Sequence, residues 1–157
     1  MRLILVRHAK AAAEEGQPDH DRPLTEQGVR DARTMGGWLR DHDLEPDAVW
    51  CSSALRARQT WSAAAAEMGA SAVEPSYLRS VYQAGPGDLI DLLRDVPSDM
   101  DSVLVLGHNP TMEQALAALT GEPRDFPAAG VAVIEVTGPW SAPSAFRLLE
   151  FASPKDA

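Results

Sequence analysis

Three short stretches of this sequence place cationic or titratable side chains directly after apolar runs. They are "LILVRHA" at 3–9, "VWCSSALRARQT" at 49–60 and "VLVLGHNP" at 103–110. The polar residues they deliver are Arg7 and His8, then Ser52, Ser53 and Arg56, then His108 and Asn109. A neutral imidazole keeps a free lone pair on one ring nitrogen, and an ordinary pKa of about 6.5 leaves it neutral near physiological pH. A guanidinium presents a planar fork of donors that fits the oxygens of a phosphoryl group. Two imidazoles and two guanidiniums brought together therefore suit phosphate chemistry. Taken singly, each residue has a plainer reading. His8 reads as a turn histidine, His108 as a polar residue at a helix start, and Arg56 as a solvated residue of a first helical turn. A cation at a helix N-terminus is slightly unfavourable, which itself points to an anion nearby.

The surrounding pattern says what must position these groups. Residues 2–6 read as a short buried strand. Residues 12–23 read as a loop, and Thr25 as the cap of a helix whose Val29, Ala32, Met35 and Leu39 face inward and which ends near Asp41 to Asp43. A strand is expected at 47–53. A helix is expected at 54–69, with Ala57, Trp61, Ala64 and Met68 as its apolar stripe and Gly69 as its stop. Residues 71–79 read as extended, with Pro75 excluded from a central ladder position. A helix at 87–96 and a buried strand at 101–107 follow. Asn109 is expected to cap a helix with Pro110 at its first position, and Gly121 to end it. Strands at 130–136 and 144–152 flank "GPWSAP", a hairpin connection. The alternation predicts one α/β domain over 1–152, with 153–157 as a tail. Its architecture is expected to be three-layer α/β/α, with a mostly parallel central sheet and one antiparallel edge strand. Ligands of such sheets bind beyond the carboxyl ends of the strands, which is where the three polar clusters fall. The two helix N-termini there add free N–H groups and partial positive charge.

Composition narrows the class. The chain has 157 residues, 45% of them hydrophobic, and a formal net charge of −9. That balance argues against nucleic acid as a partner. It does not argue against an anionic substrate, because exposed charges beyond a Debye length of about 8 Å are screened while arginines in a cleft act locally. No apolar run approaches the roughly 20 residues that span a bilayer, so no membrane partner is expected. Cys51 is the single cysteine, which fits a reducing, cytoplasmic setting. A monomer is expected. The histidines His8, His20, His42 and His108 show no metal-ligand spacing, and no cofactor motif is present. His20 and His42 lie among aspartates and read as solvated. A cysteine-dependent mechanism fits poorly, because only Ser52, Ser53, Ala54 and Leu55 separate Cys51 from Arg56, too short a loop to wrap a phosphate.

"LVRHAKA", "DRPLTEQG", "SSALRARQT" and "LGHNP", in this order, resemble the histidine phosphatase superfamily. The short length resembles in particular its small bacterial phosphohistidine phosphatases of the SixA type. The resemblance runs from about residue 1 to 120. It implies that His8 is the nucleophile that accepts the phosphoryl group, that Arg7 and Arg56 hold the phosphoryl oxygens, and that His108 flanks the phosphorus from the other side. It also implies that Arg22 lines the mouth of the pocket; the plainer reading pairs Arg22 with Asp19 or Asp21. Ser53 and Asn109 are expected to contact the phosphate as well, with Ser52 and Ser53 acting as caps or phosphate contacts rather than nucleophiles.

The stretch "LRSVYQAGPGD" supplies Tyr82 and no carboxylate before Asp88, where many larger relatives place a glutamate as general acid. That favours phosphohistidine, whose leaving group departs as neutral imidazole once its ring is protonated. Asp21 and Tyr82 are the remaining acid candidates. The expected substrate is thus a phosphorylated histidine on a protein, for example on a phosphotransfer domain. A small phosphate ester and a phospho-ligand binding module without turnover are the alternatives.

Overall fold

The structure, a computed structural model, describes residues 1–69 and 72–155. Ser71, where the expected extended segment begins, and the last two residues of the tail lie outside the described residues. A six-stranded sheet runs in the order β3-β2-β4-β1-β5-β6. Its strands are β1 (Arg2–Arg7), β2 (Ala48–Ser52), β3 (Ser76–Leu78), β4 (Ser102–Gly107), β5 (Val131–Thr137) and β6 (Ala145–Ala152). The helices are α1 (Glu26–Asp41), α2 (Leu55–Met68), α3 (Arg79–Tyr82), α4 (Pro86–Leu93) and α5 (Thr111–Thr120), with a 3-10 turn at Asp19–Asp21. No helix among the described residues is long and apolar enough to cross a membrane.

The pairs β1·β4, β2·β4 and β2·β3 are parallel, while β1·β5 and β5·β6 are antiparallel. The expected hairpin forms the edge; β5 is the reversed strand and β6 lies outside it. Along β1 the side chains alternate between two cores, as a strand buried on both faces must. Leu3 and Leu5 pack with Val81, Leu89, Leu93, Met112 and Leu116 on the α3–α5 side. Ile4 and Val6 pack with Met35, Leu39, Ala57, Trp61 and Met68 on the α1–α2 side. The result is the expected three-layer arrangement.

Local signals explain most boundaries. Thr25 Oγ1 accepts from the Gly28 N–H at 3.0 Å and caps α1. Gly121 ends α5 in the left-handed region with φ 72°. Two expectations are corrected. The segment after Pro75 forms only a three-residue edge strand before turning into α3, because nothing outside β3 extends the ladder. The last helix starts at Thr111, one residue beyond the expected position, with Pro110 at its boundary and the Asn109–Pro110 peptide cis. Asn109 still acts at that end, since its Oδ1 accepts from the Glu113 N–H at 3.3 Å.

Gly36 sets the distance between α1 and α2. A Cβ at this position would overlap the Ala64 backbone of α2. Backbone atoms cannot yield as a flexible side chain can. Gly36→Ala is therefore expected to lower stability by about 1–3 kcal/mol, read as a drop in the urea unfolding midpoint. An unchanged midpoint would contradict this packing.

Candidate active site

The ladder register brings the predicted residues together. Arg7 stands opposite Gly107, and Leu106 opposite Cys51, so the chain leaves β1, β4 and β2 at neighbouring points. The His8 N–H donates to Gly107 O at 3.0 Å, extending the pairing by one residue. The Ala9 N–H donates to Thr60 Oγ1 at 3.0 Å, and Thr60 in turn donates to Arg56 O at 2.7 Å. These bonds tie the residue after His8 to the first turns of α2. The rings of His8 and His108 lie 5.0 Å apart between centroids, tilted by 57°.

His8 keeps one ring nitrogen free of a proton. Its Nδ1 lies 2.7 Å from the carbonyl oxygen of Ala9. A carbonyl only accepts, so Nδ1 carries the proton and the neutral ring has its lone pair on Nε2. Burial, opposed by that hydrogen bond and assisted by the charges of Arg56, Arg7 and Arg22, pushes the His8 pKa down to about 4. His108 is pushed down to about 3, first by burial and then by His8 and Arg56. Both imidazoles are therefore neutral at pH 7. His108 Nε2 is 2.7 Å from Ser52 Oγ, and that oxygen accepts from the Ala54 N–H at 3.2 Å. Ser52 thus orients the second histidine.

The guanidiniums are fixed from behind. Arg7 donates to Phe126 O at 2.9 Å, and the Asn109 amide donates to the same carbonyl at 3.0 Å. Asn109 thereby steadies the carbonyl that aims Arg7, and its amide hydrogens are committed to Phe126 and Glu113. Burial lowers the Arg7 pKa, and Glu113 opposes that shift. Three buried side-chain nitrogens lack a partner among the described residues, and two of them are Arg7 Nε and His108 Nδ1; the third is Arg58 Nε. Unpaired buried polar atoms are costly, so Arg7 Nε and His108 Nδ1 are groups that a bound ligand could pair with.

The 3-10 turn supplies what the sequence did not reveal. Asp19 O accepts from Arg56 at 2.7 Å, and Asp19 Oδ2 accepts from Arg56 at 3.0 Å and from the Tyr82 hydroxyl at 2.8 Å. Asp19 Oδ1 pairs with Arg22 at 3.0 Å. The Tyr82 hydrogen bond, followed by those from Arg22 and Arg56, holds the Asp19 carboxyl far below the usual carboxylate range, with partial burial opposing them. The Arg22–Asp19 pairing is the plainer reading of Arg22 made from sequence, and its Nε also donates to Ala12 O at 2.9 Å. Asp19 engages both terminal nitrogens of Arg56, whose side chain is only 8% exposed. Each of those nitrogens keeps a second N–H.

His20 differs from its expected solvated state. Its Nε2 is 2.9 Å from Ser53 Oγ, and its ring meets Tyr82 edge-on at 4.8 Å. Sequence proximity to aspartates obscured this, because the contact to Ser53 spans 33 positions of the chain. His42 instead stacks on Trp38 at 4.1 Å at the far end of α1. Cys51 is buried and its thiol is pushed up to about 12 by that burial, which makes it a poor nucleophile. Among the described residues, no three His, Cys, Asp or Glu are grouped to hold a metal ion.

Fold and site together are those of an α/β protein that handles a phosphoryl group. The chain belongs to the histidine phosphatase superfamily (branch 1), whose family model matches residues 3–81. An uncharacterized protein of Mycobacterium tuberculosis strain H37Rv is 38% identical over 147 residues, covering 87% of this chain and 90% of that protein. The phosphohistidine phosphatase SixA of Escherichia coli K12 is 31% identical over 124 residues, covering 76% of this chain and 74% of SixA. Among solved structures, a Nakamurella multipartitia protein assigned as phosphohistidine phosphatase SixA superimposes with a TM-score of 0.87 at 34% identity, over 98% of this chain and 95% of that one. The protein histidine phosphatase SixA complexed with tungstate superimposes with a TM-score of 0.85 at 28% identity, over 99% of this chain and 98% of that one.

The depressed histidine pKa values have a consequence for stability. Between about pH 6.5 and pH 4 the unfolded chain binds a proton at His8 that the folded chain does not. Folding stability is therefore expected to rise with pH across this window and to be lost as pH falls through it. Urea unfolding at several pH values should show a shallower decline in His8→Asn than in the unmodified chain. Equal slopes would contradict the burial of a neutral His8.

Proposed function

We propose that this chain is a phosphatase that transfers the phosphoryl group to His8 and hydrolyses it from there, and that its substrate is phosphohistidine in proteins. The observation that carries the reading is the tautomer of His8: Nδ1 is held by Ala9 O, so Nε2 is the free lone pair. In the first step a bond forms from His8 Nε2 to phosphorus as the bond from phosphorus to the leaving nitrogen breaks. In the second step water attacks, the N–P bond to His8 breaks and phosphate departs. Phosphoryl transfer asks mainly for positioning and charge stabilisation. Arg7 and Arg56 supply both, and His108 faces the phosphoryl group with its unpartnered Nδ1.

The likeness to SixA proteins supports the substrate class, and the tungstate held by one of them is an oxyanion of similar shape to phosphate. The region after β3 supports it too. Its first carboxylate, Asp88, accepts from the Gly85 N–H at 3.0 Å and so caps α4. An alkoxide leaving group would find no carboxylic acid there, whereas a protonated imidazole needs less help. Cytoplasmic location and a phosphorylated protein partner accompany this reading.

A panel of substrates tests it. A phosphohistidine-bearing protein should be turned over with a kcat/KM well above that of any small alkyl phosphate, and His8→Ala should reduce both to background. A strong preference for one alkyl ester would make the chain a small-molecule phosphomonoesterase. Vanadate binding without any phosphate release would make it a phospho-ligand binding module.

A further inference from the structure

Arg56 enters the site from the first turn of α2, and different parts of the chain hold its two ends. Its carbonyl accepts from the Thr60 hydroxyl at 2.7 Å, within the helix. Its guanidinium is held from the loop before α1. One terminal nitrogen donates to Asp19 O at 2.7 Å and the other to Asp19 Oδ2 at 3.0 Å. Two bonds from the two terminal nitrogens to one residue fix the plane of the fork as well as its place, because turning the fork would break one of them. Each terminal nitrogen keeps a second N–H.

Asp19 is itself held on both carboxylate oxygens. Oδ1 accepts from Arg22 at 3.0 Å, and Arg22 is anchored in turn to Ala12 O at 2.9 Å. Oδ2 accepts from the Tyr82 hydroxyl at 2.8 Å as well as from Arg56. The Tyr82 ring packs edge-on against His108, with centroids 5.5 Å apart. Donors from the loop, α2 and α3 thus meet on one carboxylate. A structural ion pair that offsets the burial of Arg56 is the plainer reading. The Asp19 side chain is 45% exposed, however, and such a pair adds little stability. Its negative charge is also felt at His108, inside the cluster, where it opposes a bound anion. What the two-point contact supplies in return is direction.

We propose that Asp19 is the positioning residue for Arg56: it fixes the plane of that guanidinium so that the remaining N–H groups meet the phosphoryl oxygens in the transition state. This rests on the reading of His8 as the nucleophile and of Arg56 as a phosphoryl clamp. Tyr82 and Arg22 act through Asp19, by holding its carboxylate in place. Removing the carboxylate then has two effects of opposite sign. Loss of negative charge favours a resting phosphate, whereas loss of orientation disfavours the transition state. Asp19→Asn separates the two. An amide offers one acceptor oxygen where the carboxylate offers two, and its NH2 group faces donors.

A mutant cycle with Arg56 tests the assignment. Asp19→Asn should lower kcat for dinitrophenyl phosphate by about 10²-fold and weaken binding of vanadate, which imitates the five-coordinate phosphorus. It should hold inorganic phosphate at least as tightly as the unmodified chain. Tyr82→Phe should show the same pattern with smaller losses. Added to Arg56→Ala, Asp19→Asn should cost nothing further in vanadate affinity or single-turnover rate, because no guanidinium remains to orient. Urea unfolding reports whether each variant is folded under the assay conditions. An unchanged kcat in Asp19→Asn, equal losses of phosphate and vanadate affinity, or the same loss with and without Arg56 would overturn the role of Asp19 alone. Full activity in Arg56→Ala or in His8→Ala would overturn the reading beneath it.

Discussion

Arg7 and Gly107 stand opposite one another across the β1–β4 ladder, and Leu106 and Cys51 do so across β4–β2. From this pairing the chain leaves three adjacent parallel strands at the same level. Each exit delivers polar side chains that could not be tolerated one residue earlier, inside strands buried on both faces. His8, Ser52 and His108 therefore converge without any contact between their segments in sequence. A slip of one residue in the β1–β4 ladder would turn the apolar residues of β1 toward the opposite layers and separate the two imidazoles. The hydrophobic layers that hold the register are thus also the device that builds the cluster.

Electrostatics follow from that convergence. Burial makes protonation of the two imidazoles costly, and the charge of Arg56 beside both, with Arg7 and Arg22 beside His8, adds to the effect. The imidazoles stay neutral, which keeps the His8 lone pair available. The same positive field attracts the carboxylate of Asp19, which occupies Arg56 and Arg22 from the loop side. The chain carries an overall charge of −9, yet the charges that act on His8 are those of Arg56, Arg7 and Arg22. Local geometry, rather than net charge, decides what the site attracts.

How much of this was legible in the sequence differs from residue to residue. His8, Arg7 and His108 could be read because each follows an apolar run at a strand end, Arg56 because it sits in the first turn of the helix after another, and the α/β alternation says that such ends gather. The caps at Thr25 and Gly121 were legible because they depend on neighbours in sequence. Asp19 and His20 were not, because their partners Arg56, Tyr82 and Ser53 lie far along the chain and the loop has no periodicity to reveal its path. "PDHDRP" does hold a local clue, the spacing of Asp19 and Arg22, which places an ion pair across one turn. Asn109 shows a third case: its polar amide suggested a cap and a phosphate contact, while its amide hydrogens in fact fasten Phe126 and Glu113 beside Arg7.

The central claim is that His8 Nε2 bonds covalently to phosphorus. Rapid acid-free quenching of the protein during turnover of a labelled aryl phosphate, followed by peptide mapping, examines that bond directly. The account predicts label on the peptide containing His8, stable in base and lost in acid, as a phosphoramidate behaves. Turnover with no protein-bound label, or label on Ser52, Ser53 or His108 instead, would contradict it.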